Sequence, residues 1–138
     1  MMKAFTATAV IVLLFVVSSF GAETTTIFNG LPLLKISEGG VSRITENLDT
    51  VKAANLKCII SKIGDTYYWV SRENTKLIRV EGGAFTTFVA PNGAGYIRVI
   101  NPTMKSMASI MSETEDSFDY VEHALIGLRS VTYYGKTE

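Results

Sequence analysis

Two dipeptides, Gly64-Asp65 and Asn92-Gly93, each divide a pair of β-rich runs, "CIISKI-GD-TYYWVSR" and "AFTTFVAP-NG-AGYIRVI". A two-residue hairpin of type II′ wants glycine at its first central position. Type I′ needs positive φ at both, which Asn-Gly supplies. Two such signals commit this part of the chain to antiparallel β-structure. Between them "KLIRVE" reads as a further strand and Gly82-Gly83 as another tight turn. Residues 57–100 therefore predict a five-strand antiparallel meander.

The turns also predict register. With Gly64-Asp65 as the loop, Ile63 faces Thr66, Lys62 faces Tyr67 and Ile60 faces Trp69. Alternation then sends Cys58, Ile60, Tyr67 and Trp69 to one side of the sheet, and Ile59, Ile63, Tyr68 and Val70 to the other. Neither side reads as an ordinary solvated face. One packs inside the domain, Trp69 being the stronger candidate for burial; the other awaits cover from the chain, a second subunit or a ligand. Around Asn92-Gly93 the same reasoning pairs Phe88 with Ile97 and Thr86 with Val99 on one side. Phe85 with Ile100, Val89 with Tyr96 and Thr87 with Arg98 fall on the other.

The flanks read as cover for this sheet. Val41, Ile44, Leu48 and Val51 recur three and four apart, predicting a helix in residues 39–55. Asn101 and Pro102 suit a helix start, and Met104, Met107 and Met111 follow along one side, as core filler rather than an adaptable groove. Arg129–Tyr134 predicts a strand, and Tyr120–Leu128 another, against a competing helical spacing of Phe118, Val121, Leu125 and Leu128. The expected fold class is α+β, mainly β: an antiparallel meander of about five to six strands (57–100 plus a C-terminal strand) with one or two short flanking helices.

A basic start at Lys3, the apolar run "AVIVLLFVV" and the small residues Ser19 and Gly21 have the order of a secretory signal. The expected domains are a cleaved leader at 1–21 and a single small β-rich domain at 22–138, with Ala22 as the mature N-terminus. A spanning helix needs about 20 apolar residues, and Thr6, Thr8, Ser18 and Ser19 shorten this run. The chain is thus expected in the periplasm or outside the cell, without membrane insertion after cleavage. The 13 basic and 13 acidic residues balance, and no basic run offers a surface for nucleic acid. Cys58 is the one cysteine, so no internal disulfide staples the domain.

Little catalytic material is present. Cys58 and the single histidine, His123, could form a thiol dyad, but nothing brings them together in sequence, and Cys58 reads as a buried thiol. No G-x-S-x-G elbow surrounds a serine. Glu113, Glu115, Asp116, Asp119 and Glu122 lack the ligand spacing and glycine hinge of a calcium loop and read as a solvated acidic stretch. Gly39-Gly40, Gly82-Gly83 and "GAGYIRV" lack the helix and lysine of a phosphate cradle and read as turns or strand entry. No metal site and no cofactor are expected.

What remains is aromatic surface. The sequence points to a small exported, non-catalytic binding or interaction protein, with Tyr67, Trp69, Tyr96 and Arg98 as candidate contacts for an unknown protein, peptide or glycan. The alternatives are an oligomeric cell-envelope component, its second apolar face buried in a homo-oligomer, and a small enzyme using Cys58 or His123.

Overall fold

The structure, a computed structural model, describes residues 23–101 and 118–138. The expected leader at 1–21 and the segment carrying Met104, Met107 and Met111 lie outside them. The described elements are β1 (Thr24–Gly39), β2 (Ser42–Asn47), α1 (Thr50–Asn55), β3 (Cys58–Ile63), β4 (Thr66–Trp69), β5 (Thr75–Gly82), β6 (Phe85–Val89), β7 (Gly95–Ile100), β8 (Tyr120–Ile126) and β9 (Arg129–Thr137).

β3 to β7 are the expected meander, and its two predicted registers are observed residue for residue. At Gly64 φ is +60°, as a II′ loop requires. The Asn92-Gly93 turn differs from expectation. Asn92 keeps a negative φ, only Gly93 is positive, and the N–H of Gly93 donates to the Ala90 carbonyl at 3.1 Å. Pro91 explains this: its fixed φ suits the first central position of an ordinary turn over Ala90–Gly93, so Gly93 takes the positive φ after that turn rather than inside it. Two adjacent positive φ values occur instead at Glu73 and Asn74, closing the β4–β5 turn with the Thr75 N–H on the Arg72 carbonyl at 3.1 Å.

The meander does not stay open. β8 and β9 continue it, and β9 pairs with β1, which pairs in turn with β3. Eight strands, β1 and β3 to β9, thus form a closed up-and-down antiparallel barrel, in place of a sheet flanked by helices. Closure pairs the two end strands of the meander, β3 and β9, through β1, and leaves β2 as a short outer edge. β1 makes it feasible because it is 16 residues long. Its first half pairs with β3, its second half pairs with β9, and β2 continues the β3 side alongside residues 34–39. The handover falls at Pro32, where the β9 register shifts; proline has no N–H for the ladder and is tolerated at such a bulge. The seam is tight: a Cβ on Gly135 would lie 2.1 Å from the Leu31 carbonyl oxygen.

The helix expected over 39–55 is corrected. Gly40, at φ +59°, turns the chain so that β2 folds back on β1, leaving Val41 and Ile44 exposed. A neighbouring strand satisfies this backbone, whereas a helix here would have lacked a surface on which to bury its stripe. Within that stretch only α1 is helical, started by Asp49, whose Oδ1 accepts the Lys52 N–H at 2.9 Å. Asn101 spends its side chain on the β5–β6 hairpin, donating to the Gly83 carbonyl and accepting from Thr86.

Directly opposed residues share a face, so the interior follows from the pairing. Phe28, Cys58, Ile60, Trp69, Leu77, Phe88, Ala90, Ile97, Tyr120 and Ala124 form one buried cluster on the barrel axis. Trp69, Ile60, Ile97 and Cys58 are fully excluded from solvent. Trp69 is core, as the sequence favoured, and Tyr68 lies half-buried on the outer face.

Candidate functional site

Glu122, on β8, is 1% exposed. It faces inward because it opposes Ile97 on β7 and Tyr133 on β9. β4 stands four strands away around the ring, directly across the lumen, and Trp69 on β4 donates its indole N–H to Glu122 Oε2 at 2.7 Å. Arg72, from the β4–β5 turn, places its Nη2 3.6 Å from Glu122 Oε1 and its guanidinium over the Tyr133 ring, 5.4 Å from the centroid. The carboxylate therefore ties opposite walls together. Burial pushes the Glu122 carboxyl up from its ordinary range, against the pull of Arg72 and the indole N–H. Burial likewise pushes the Cys58 thiol well up, and the neighbouring Glu122 carboxylate adds to it. A thiol held in its neutral form is a poor nucleophile.

His123 is the neighbour of Glu122 and so points outward, where it meets Thr132 Oγ1 at 2.9 Å and stacks on Tyr96. The barrel wall separates it from the inward-facing Cys58, and no dyad is assembled from the two. Among the described residues, no group of three or more His, Cys, Asp or Glu side chains is placed to hold a metal ion. Asp119 and Glu122, the described part of the acidic stretch, are both buried rather than solvated; Asp119 Oδ2 accepts the Thr137 N–H at 3.0 Å.

The barrel's two mouths are unlike. At the end bearing the β4–β5, β6–β7 and β8–β9 turns, a cavity of about 390 Å³ is lined by Trp69, Arg72, Glu73, Ala94 and Ala124 among others. At the other end lies a cavity of about 430 Å³. Phe28, Tyr67, Phe88 and Val99 form its wall, and Lys62, Arg79, Thr86 and Asn101 also line it. Tyr67 packs on Phe88 with ring centroids 5.4 Å apart, and Lys62 Nζ sits 5.6 Å from the Tyr67 ring centroid. Arg79 pairs with Glu81 at 2.5 Å and reaches Tyr67 Oη at 3.4 Å. Thr86 Oγ1 lies 3.0 Å from Glu81 Oε2 and 2.7 Å from Asn101 Oδ1. Below this mouth the buried cluster closes the lumen.

Of the four residues picked out by sequence, Tyr67 and Trp69 face inward, whereas Tyr96 and Arg98 face outward, opposite Val89 and Thr87. They form no single site. The residues that sequence reasoning passed over are Glu122, Lys62 and Arg79. A strand here puts Glu122 on the face of Tyr120 and Ala124, but the acidic run around it reads as a solvated stretch. Lys62 could have been found from its predicted partner Tyr67.

Fold and site together define a closed eight-stranded antiparallel barrel with a plugged apolar centre, a buried carboxylate and a cationic aromatic mouth. Compared with protein families, curated proteins and solved structures, the chain finds no match. Among the described residues, no helix is long and apolar enough to cross a membrane.

Proposed function

We propose that this chain is a small exported binding protein that holds one small molecule in the barrel mouth bounded by Lys62, Tyr67 and Arg79. The observation that carries this reading is the cavity of about 430 Å³ walled by Phe28, Tyr67, Phe88 and Val99 with charged groups at its rim. Eight strands enclose an interior that side chains fill or that takes one small ligand. Ligand sites are concave, mostly apolar, several hundred cubic ångströms in volume and provided with a few placed polar groups. The leader supports export, and mass spectrometry of the exported protein would then find Ala22 first; an intact Met1 would refute cleavage.

The binding test uses N-phenyl-1-naphthylamine, a neutral fluorophore that brightens in apolar surroundings. Its fluorescence rises with the wild type and not with Val99→Trp, which fills the cavity, while both give the same far-ultraviolet dichroism. Equal brightening with both proteins, or none with the wild type, refutes the site.

A second reading, self-association, is favoured by the outer face of β5 and β6. There Ile78 and Val80 are about half exposed, and Phe85 and Val89 are also exposed. Ile78 lies directly opposite Val89, so the apolar surface is continuous across the two strands. Sedimentation of the wild type as a dimer, and of Ile78→Lys as a monomer, would support it; a monomeric wild type would end it.

A further inference from the structure

We infer that the molecule held at the Lys62 mouth is an amphipathic organic anion, a compact carboxylate with an apolar body and its head at the rim; this rests on the binding site proposed above. The argument begins with charge. Two charged side chains among the described residues line this cavity, Lys62 and Arg79, and Arg79 is neutralised by Glu81. Lys62 has no carboxylate within ion-pair reach among the described residues, its one recorded contact being the face of Tyr67. Counted over these described side chains, the lining carries one net positive charge. That repels a cationic head and attracts an anionic one.

Two of the rim's neutral polar side chains, Thr86 and Asn101, are already engaged, which leaves the Thr137 hydroxyl. Thr86 meets both Glu81 and Asn101, and the Asn101 amide donates to the Gly83 carbonyl at 2.9 Å. A sugar needs many partners for its hydroxyl groups, and few are left for one here. The open donors are those of Lys62 and the remaining guanidinium N–H groups of Arg79, whose planar fork matches a carboxylate.

The wall sets the other half of the ligand. Phe28, Tyr67, Phe88 and Val99 offer rings and a branched aliphatic group, with no polar atom except the Tyr67 hydroxyl. That surface suits an apolar body. Its length is limited because Ile60, Trp69, Leu77 and Ile97 occlude the lumen beneath. At the ~30 Å³ that a water occupies in the liquid, the space corresponds to about fourteen non-hydrogen atoms. Medium-chain fatty acids and arylalkyl acids fit this size; long-chain lipids exceed it.

Isothermal titration of the wild type with octanoate, octan-1-ol and octylamine at neutral pH tests the inference. These probes share one tail and differ in head charge. Octanoate is expected to bind about tenfold or more tightly than octan-1-ol, a charge-assisted head contact being worth that much, with octylamine weakest. Lys62→Gln should remove that preference by weakening octanoate, while Lys62→Arg retains it. Octan-1-ol binding as tightly as octanoate to the wild type overturns the anion and leaves the binding site standing; a well-folded Lys62→Gln that keeps the preference overturns the placing of the head at Lys62. If none of the three probes binds, and N-phenyl-1-naphthylamine does not either, the site itself is refuted along with the inference. The wild-type comparison decides the matter even where a variant fails to fold.

Discussion

The hydrogen bond from Trp69 to Glu122 crosses the barrel, and its energy can be isolated because both ends can be replaced by apolar side chains of similar size. Trp69→Phe removes the strongest donor and leaves the buried Glu122 carboxylate only the weak Cys58 thiol and Arg72, 3.6 Å from Oε1. An orphaned buried polar group costs about 1–3 kcal/mol, more when charged, and the smaller ring adds a packing loss. Glu122→Leu strands the indole N–H at a site from which solvent is excluded, with a similar loss of about 1–3 kcal/mol. Arg72 adds little to that loss, since its side chain is 29% exposed and can turn to water. The double variant has neither orphan. Its loss should therefore fall short of the sum of the single losses by about 1.5–3 kcal/mol, the worth of a hydrogen bond to a charged group. That is a large part of the roughly 5–15 kcal/mol that holds a domain of this size together. Urea unfolding followed by far-ultraviolet dichroism measures it, Trp69 being the one tryptophan and so unusable as the probe. A coupling below about 0.5 kcal/mol, within the usual error of additivity, would refute the reasoning and make the bond across the lumen energetically idle.

Three further outcomes are expected. Glu122 has a folded-state pKa raised above its ordinary 4.5 by burial, so its protonation contributes stability that is whole below about pH 4.5 and is lost as pH rises through the higher folded value. Thermal melts of the wild type should accordingly fall in that window relative to Glu122→Gln, and a rise would contradict it. Cys58 is fully buried with its thiol pushed well up, so native labelling by a thiol reagent should be slow and should accelerate in urea; fast stoichiometric labelling would contradict burial. Gly135→Ala forces a Cβ against the Leu31 carbonyl oxygen and should cost about 2 kcal/mol or more by prising the β1–β9 seam. Gly82→Ala, whose Cβ would meet nothing closer than 3.9 Å, should be nearly neutral, and equal melting losses for the two would refute the seam argument.

The sequence by itself determined the middle of this protein. Gly64-Asp65 and Asn92-Gly93 lie within hairpins whose chemistry is local, and a register once set by a turn places every later side chain by alternation. That is why the turns alone pair Ile60 with Trp69, and Phe88 with Ile97. The Asn92-Gly93 hairpin kept its predicted register although Pro91 altered the turn itself. Residues 39–55 misled because Val41, Ile44, Leu48 and Val51 fit a helical period, while the deciding fact, that β1 was available as a partner for β2, lies in a strand whose mixed "TTTIFNGLPLLKISEG" carries no clean alternation. Closure was a decision of tertiary structure alone. The β1–β9 pairing joins segments about a hundred residues apart in sequence, and no local signal encodes which distant strand will satisfy an open edge. Closure also decided the inside and the outside. Both faces of the hairpins were apolar, so alternation could sort the side chains into two sets without saying which set enclosed the lumen. Only the ring of eight strands turned Glu122 and Trp69 toward each other, set His123 and Arg98 outside, and gathered Lys62, Tyr67 and Arg79 at one mouth.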